Sequence, residues 1–242
     1  MNYNWDWSVF WQVSPEGDVT YAGMLWNGLL MTLLTSFCAW VLAFVSGSAV
    51  GVLRTVPGRV APALATAWIE LFRNVPLLVQ LFLWYFVVPE LLPGSLGTLI
   101  KQLPNGSFYT AVVGIGFYMS ARLGVQLSAA LGALSSGQSD AGAALGLSRW
   151  QTYRLILLPV AYRIILPPMT SDVLSTLKNT SVALTIGLAE LTARARAMQE
   201  FSFQVFEAYA AATVIYAVIS LAATYAAHAV ERRMQIPGMA GT

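Results

Sequence analysis

Five stretches of this chain, near residues 23–53, 61–89, 108–134, 163–189 and 205–230, are each apolar over a length that can cross a bilayer. A crossing helix needs roughly 20 mainly apolar residues at about 1.5 Å rise per residue. A backbone surrounded by lipid must also satisfy its own polar groups, which a helix does within one segment. The pattern therefore predicts an all-α, polytopic membrane protein of about five transmembrane helices, with residues 1–242 as a single transmembrane domain. Composition agrees, since 57% of the 242 residues are hydrophobic and 10% charged, against roughly a quarter charged in soluble domains.

The same composition narrows the function. A formal net charge of +2, without a basic run, leaves no footprint for nucleic acid. Cys38 is the only cysteine and His228 the only histidine, so neither an internal disulfide nor a metal site is expected. Cys38 reads as packing and His228 as an interfacial residue near the end of the last span. No GxxxxGK[ST] loop is present to hold ATP phosphates, and no nucleophile, base or paired-carboxylate set shares a face. The chain is expected to be no enzyme and to carry no cofactor. Any ATP hydrolysis would belong to another subunit.

Residues 1–20 place Trp5, Trp7 and Trp11 among polar and acidic groups, with no basic start or compact apolar run. This reads as an interfacial segment on the periplasmic side rather than a signal peptide, since indole rings favour the membrane boundary. Lys and Arg accumulate on the cytoplasmic side. Arg54 and Arg59 follow the first span, Arg149, Arg154 and Arg163 the third, and Arg232 and Arg233 the fifth. Asp6, Glu16, Asp18, Glu90, Glu190 and Glu200 fall on the other side, with Lys101, Arg194 and Arg196. The expected orientation is N-terminus out and C-terminus in, which an odd number of spans requires.

The segment 135–162 lies on the positive side without a lipid-length apolar run, and reads as a cytoplasmic loop carrying a helix near 140–149. Ser139 or Asp140 supplies an N-cap oxygen, and Ala141, Gly142, Ala143, Ala144 and Gly146 give a face with little bulk. Such a face suits a partner's close approach or packing on the chain's own bundle.

The order Asp140-Ala141-Gly142, Gly146, Ile156 and Leu158-Pro159 resembles the EAA loop of bacterial ABC importer permeases, with Asp140 for Glu and Gly142 for the second Ala. The resemblance extends through Asn27-Gly28-Leu29, Thr32-Leu33, the run Glu70 to Gln80, and Lys178-Asn179-Thr180-Ser181, which look like the polar amino-acid subfamily. The tail Glu231-Arg232-Arg233 with Ile236-Pro237-Gly238 is similar to that of glutamate/aspartate-type permeases. The resemblance implies a type I ABC importer permease fold in the bacterial inner membrane. It also implies that Asp140, Ala141, Gly142, Gly146 and Leu147 couple the chain to a pair of ATP-binding subunits. The implied partners are a second permease, homologous or identical, a periplasmic solute-binding protein and a polar amino acid, with glutamate or aspartate favoured. The competing reading is a secondary transporter or channel that works without ATP.

Charges at membrane depth are the substrate-path candidates, because an ionised side chain there normally faces water or a partner. Arg122 lies about 20 Å along the third span and Lys178 about 22 Å from the inner end of the fourth, which puts both near the same plane. Lys178, Asn179, Thr180 and Ser181 interrupt an apolar helix with hydrogen-bonding groups, a common way to meet a transported ligand. Arg122 adds a planar donor suited to a second carboxylate, or else balances Glu70 or Asp172. Glu70 and Arg73 share a helix face and read as an intrahelical brace. Pro76 is expected to kink the second span, and Pro159, Pro167 and Pro168 to break the route from the loop to the fourth span into short pieces.

Overall fold

The computed structural model describes residues 3–15, 17–134 and 136–234. Glu16 and the Ile236-Pro237-Gly238 tail lie outside the described residues. After a 3₁₀ turn at Trp7–Trp11 the helices are α1 (Tyr21–Leu53), α2 (Val60–Asn74), α3 (Leu77–Phe82), α4 (Val88–Leu91) and α5 (Gly94–Gln102). There follow α6 (Gly106–Ala133), α7 (Ser136–Ala144), α8 (Arg149–Thr152), α9 (Leu158–Asn179), α10 (Leu191–Ser202) and α11 (Val205–Met234).

Among the described residues α1, α6 and α11 are each long and apolar enough to cross a membrane, and the broken run Val60–Leu91 makes a fourth if counted as one span. The break falls at Val75-Pro76, where Pro76 has no amide hydrogen for the helical ladder and Val75 is extended. The expected stretch 163–189 is an α-helix only to Asn179. It tightens to 3₁₀ over Thr180–Ile186 and ends on Gly187, whose φ of 83° lies in the left-handed region.

Proline acts differently on the route from the loop to the fourth span. Pro159, Pro167 and Pro168 do not break it into pieces: α8 runs through a π-turn at Tyr153–Leu157 into α9. In that turn the Leu158 amide donates to the Tyr153 carbonyl. The widened turn ends just before Pro159, whose ring would otherwise meet the carbonyl four residues back. Leu83–Val87 is a second π-turn placed the same way before Pro89.

The chain forms two compact units. The first comprises Met1–Ala39, Pro76–Ile115 and Ser175–Ala223. Its core gathers Val9, Met24, Leu25, Leu191, Met198 and Ala208. The N-terminal segment is tied to α11: the Tyr3 hydroxyl donates to the buried Glu207 carboxylate, and the Asp6 amide donates to its other oxygen at 2.8 Å. Trp5, Trp7 and Trp11 keep exposed rings, Trp11 at 77%.

The second unit comprises Trp40–Val75, Gly116–Leu174 and Thr224–Thr242. Here α1 and α6 approach along small residues. A Cβ at Gly47 would lie 2.8 Å from the Ser120 carbonyl oxygen and 2.9 Å from Leu123 Cδ2. One at Gly51 would lie 2.9 Å from Leu127 Cβ, and one at Gly116 2.8 Å from Leu42. Without a hydrophobic drive between helices in lipid, such contact supplies the attraction through dispersion. Trp68 joins α2 to this seam by donating from Nε1 to Ser120 Oγ at 3.0 Å.

Candidate functional site

The loop helix α7 starts at Ser136, so Asp140 lies inside it rather than at an N-cap, and it ends at Ala144 rather than 149. Its stop is built from Gly146. The Gly146 amide donates to the Ala143 carbonyl at 2.9 Å and the Leu147 amide to the Gly142 carbonyl at 3.0 Å, with Gly146 at φ 74°. This paired closure needs a left-handed residue just past the helix, which glycine adopts without strain. Ser148 then opens α8 with a reciprocal capping box to Gln151.

Gly142 does not belong to the outward small face. It is buried, and a Cβ there would sit 2.9 Å from Thr152 Oγ1, 3.0 Å from Thr152 Cγ2 and 3.3 Å from Ile156 Cδ1. The spacing from Gly142 to Ile156 thus reflects α7 packing on the start of the α8–α9 route. Asp140, Ala141, Ala143, Ala144 and Leu145 remain exposed, Leu145 at 77%. The outward face is therefore alanines beside one large apolar side chain and one carboxylate. Farther along the route, Tyr153 donates its hydroxyl to the Thr55 carbonyl at 3.1 Å.

In the first unit, Lys178 and Ser181 line a cavity of about 450 Å³ together with Thr192, Tyr216 and Ser220. Lys178 is exposed. Thr180 is buried and donates to the Leu177 carbonyl at 2.8 Å, and Asn179 is half-buried at the start of the 3₁₀ segment. The four-residue motif thus delivers Lys178 and Ser181 to one cavity and commits the Thr180 hydroxyl to the backbone.

Behind that cavity stands Glu190, with 0% exposure. It caps α10 by accepting from the Ala193 amide at 2.7 Å, and its other oxygen accepts from the Tyr216 hydroxyl at 2.7 Å. Thr192 Oγ1 lies 3.2 Å from the same hydroxyl. The Leu191 amide donates to Thr32 Oγ1 at 3.1 Å, which fixes the start of α10 against α1. Sequence reasoning counted Glu190 only as an outer charge. An acidic residue three positions before the amide that it caps was the available signal.

In the second unit, Arg122 lies 3.1 Å from the Asp172 carboxylate, with Arg122 46% and Asp172 1% exposed. Gln126 Nε2 donates to the other Asp172 oxygen at 2.7 Å. Arg122, Gln126, Tyr118, Val125 and Arg73 line a cavity of about 390 Å³. Glu70 does not brace Arg73. Its carboxylate accepts from Asn74 Nδ2 at 2.6 Å, one helical turn on, which leaves Arg73 beside Arg122 in the cavity wall.

The family model for the inner membrane component of binding-protein-dependent transport systems matches residues 39–236 of this chain. The chain belongs to that family. It is accordingly a permease subunit, a transport component and not an enzyme, and the family implies an ATPase, a substrate-binding protein and a second permease as partners. The permease is 42% identical over 244 residues to the glutamate/aspartate import permease protein GltJ of Escherichia coli (strain K12), covering 100% of this chain and 99% of that protein. It is 33% identical to the glutamine transport system permease protein GlnP of the same organism, covering 96% of this chain and 98% of that one. Among solved structures, an amino acid ABC transporter crystallised with histidines matches at a TM-score of 0.74 and 28% identity, over 88% of this chain and 95% of that one. The inward-facing MetNI methionine ABC transporter matches at 0.73 and 18% identity over 88% of this chain and 97% of that one, a likeness of fold. The type I importer permease fold implied by the loop motif is thus the fold of the permease.

Proposed function

We propose that this permease imports an acidic amino acid, glutamate or aspartate, across the bacterial inner membrane, with its N-terminus periplasmic and its C-terminus cytoplasmic. The observation that carries the substrate is the 42% identity to the glutamate/aspartate permease over the whole chain. The cavity of Arg73 and Arg122 supports it. Two guanidinium groups face that space and one carboxylate, Asp172, stands behind Arg122, so an anionic ligand meets an excess of positive charge. Asp172 takes one edge of the Arg122 guanidinium and leaves the rest of a planar donor toward the cavity. Arg122 reads the side-chain carboxylate, and Lys178 with Asn179, Thr180 and Ser181 forms a second stretch of the path.

Coupling follows the outward face of α7. Asp140, Ala141 and the exposed neighbours Ala143, Ala144 and Leu145 meet the ATP-binding subunit. Gly142, Gly146 and Leu147 hold the helix in the shape that presents them, Pro76 marks the break in the second span and Pro159 the widened turn that leads from α8 into α9. ATP-driven closure of the ATPase pair moves this loop and shifts the bundle between outward and inward states.

Uptake of radiolabelled glutamate and glutamine by vesicles holding the full assembly tests the substrate. Wild type is expected to take up glutamate in preference to glutamine. Arg122→Ala is expected to lower glutamate uptake about tenfold or more, as loss of a charge-assisted hydrogen bond does, with assembly and basal ATPase activity intact. Unchanged glutamate uptake in that variant would remove Arg122 from the path.

A further inference from the structure

We infer that α5 is an interfacial helix whose apolar stripe, Leu96, Leu99, Ile100 and Leu103, is seated among the lipids where acyl chains meet headgroups. Lipid, and not a second protein chain, is the partner of this face. The substrate and the orientation of the permease play no part in the inference.

The spacing and the seat of the helix define the stripe. Leu96, Leu99, Ile100 and Leu103 recur at the intervals that place them within about 100° of one another on a helix, and each is exposed. Ser95, Thr98, Lys101 and Gln102 take the opposite side, with Gly97 between the two. Gly97 is the buried residue of α5, and a Cβ there would stand 2.3 Å from the Pro89 carbonyl oxygen. The missing side chain lets that flank lie against the end of α4. The helix is thereby fixed with its leucines turned away from the chain's own interior, and such a surface favours leaving water for another apolar phase.

The neighbouring elements identify that phase. The 28 residues of α6 rise about 42 Å, which matches a bilayer of about 40–45 Å with its headgroups, so Gly106 at its start stands at headgroup level. Four residues separate the end of α5 at Gln102 from Gly106, a reach of about 14 Å at most. The link is in fact turned: Asn105 has φ 61°, and its carbonyl accepts from the Phe108 amide at 2.9 Å. Tyr85 and Tyr109, rings of the kind that favour the membrane boundary, line one cavity of about 300 Å³ with Ile100, Lys101 and Leu103. The stripe is therefore held at the boundary by the span that follows it. On the polar side Lys101 pairs with Glu90 at 2.5 Å, so its charge is matched and the attachment is apolar rather than a matter of anionic headgroups.

The test is spin labelling of the assembled transporter in nanodiscs, with Cys38→Ser in the permease, cysteine-free partner subunits and one new cysteine at a time. Labels at Leu96→Cys, Leu99→Cys and Leu103→Cys are expected to collide about threefold or more as often with oxygen, which concentrates in lipid, as labels at Thr98→Cys and Gln102→Cys. With a water-soluble nickel chelate the order is expected to reverse. The contrast is expected to be the same in zwitterionic and in anionic lipid. Leu96→Gln with Leu99→Gln is expected to move the Leu103 label toward the chelate, while co-purification with the ATPase subunit is kept. Equal chelate contact on both sides of α5 would put the stripe in water and overturn the inference. Exclusion of both oxygen and chelate from the stripe would mean that protein covers it, which overturns the inference as well. So would a contrast seen only in anionic lipid, or a Leu103 label that the paired glutamines leave in place.

Discussion

Gly47→Val is expected to destabilise the permease by about 3 kcal/mol, the upper end for overpacking a well-filled interior, seen as a lower unfolding midpoint of the purified assembly in detergent. The Cβ alone would stand 2.8 Å from the Ser120 carbonyl oxygen. That neighbour is backbone in the middle of α6, so it yields only if the helix does. The two valine methyls then push against Leu123, whose Cδ2 and Cβ already lie 2.9 and 3.0 Å from the Cβ position. Separating the helices also pulls Ser120 from Trp68 and opens the contact of Gly124 with Val50. Gly132→Ala, on the facing helix α6, is the control, because nothing lies within 4 Å of its Cβ position. It is expected to be neutral or to stabilise by up to about 1 kcal/mol, since alanine is the better helix former. Equal losses in both variants would mean that helix separation is not what Gly47 provides.

Those contacts also mark the limit of what the residue pattern expresses. Long apolar stretches are legible because lipid demands them, and α1, α6 and α11 follow the expected boundaries within a few residues. Gly47 and Gly51 stand four apart on one helix and Ser120 and Gly124 four apart on another. That spacing shows that each helix has a small-residue face, but not which face meets which. The EAA-like loop is legible in the same partial way. Its glycines announce a constrained turn, yet only the fold separates Gly146, which closes α7 in the left-handed region, from Gly142, which makes room for Thr152.

Proline and charge were harder for a physical reason. A proline reports a missing donor and a ring, and the chain can answer by breaking, as at Pro76, or by widening a turn, as before Pro89 and Pro159. The choice depends on packing around the bend, which lies outside any local window. The Arg122–Asp172 pair joins residues of α6 and α9, and the Glu190–Tyr216 bond joins the start of α10 to α11. A charge at membrane depth signals that a partner exists. Of these, only Asp172 had been weighed as a partner, and Glu190 had no reason to be counted as buried.

Gly142→Val is expected to cut transport about tenfold or more while leaving the membrane helices folded. The strain falls on a surface helix packed on Thr152 and Ile156, and overpacking of this kind costs about 1–3 kcal/mol, enough to displace α7 by a fraction of a turn. The bundle seams at Gly47 and Gly51 are untouched. What changes is the link from α7 through the capping box of Ser148 to the π-turn, where Tyr153 bonds Thr55. The expected signature is retained co-purification with the ATPase subunit, retained ATP hydrolysis and lost uptake. Removing Thr152 Oγ1 and Cγ2 opens the space the new side chain needs, so adding Thr152→Ala is expected to recover most of the uptake. That recovery measures a pairwise coupling, which contacting residues show and distant ones do not. Ala143→Val separates this from docking, since Ala143 is exposed on the outward face and its substitution is expected to weaken ATPase association itself. If Gly142→Val instead released the ATPase subunit, and Thr152→Ala did nothing to restore it, Gly142 would be a docking residue and not the seat of α7 on its own chain.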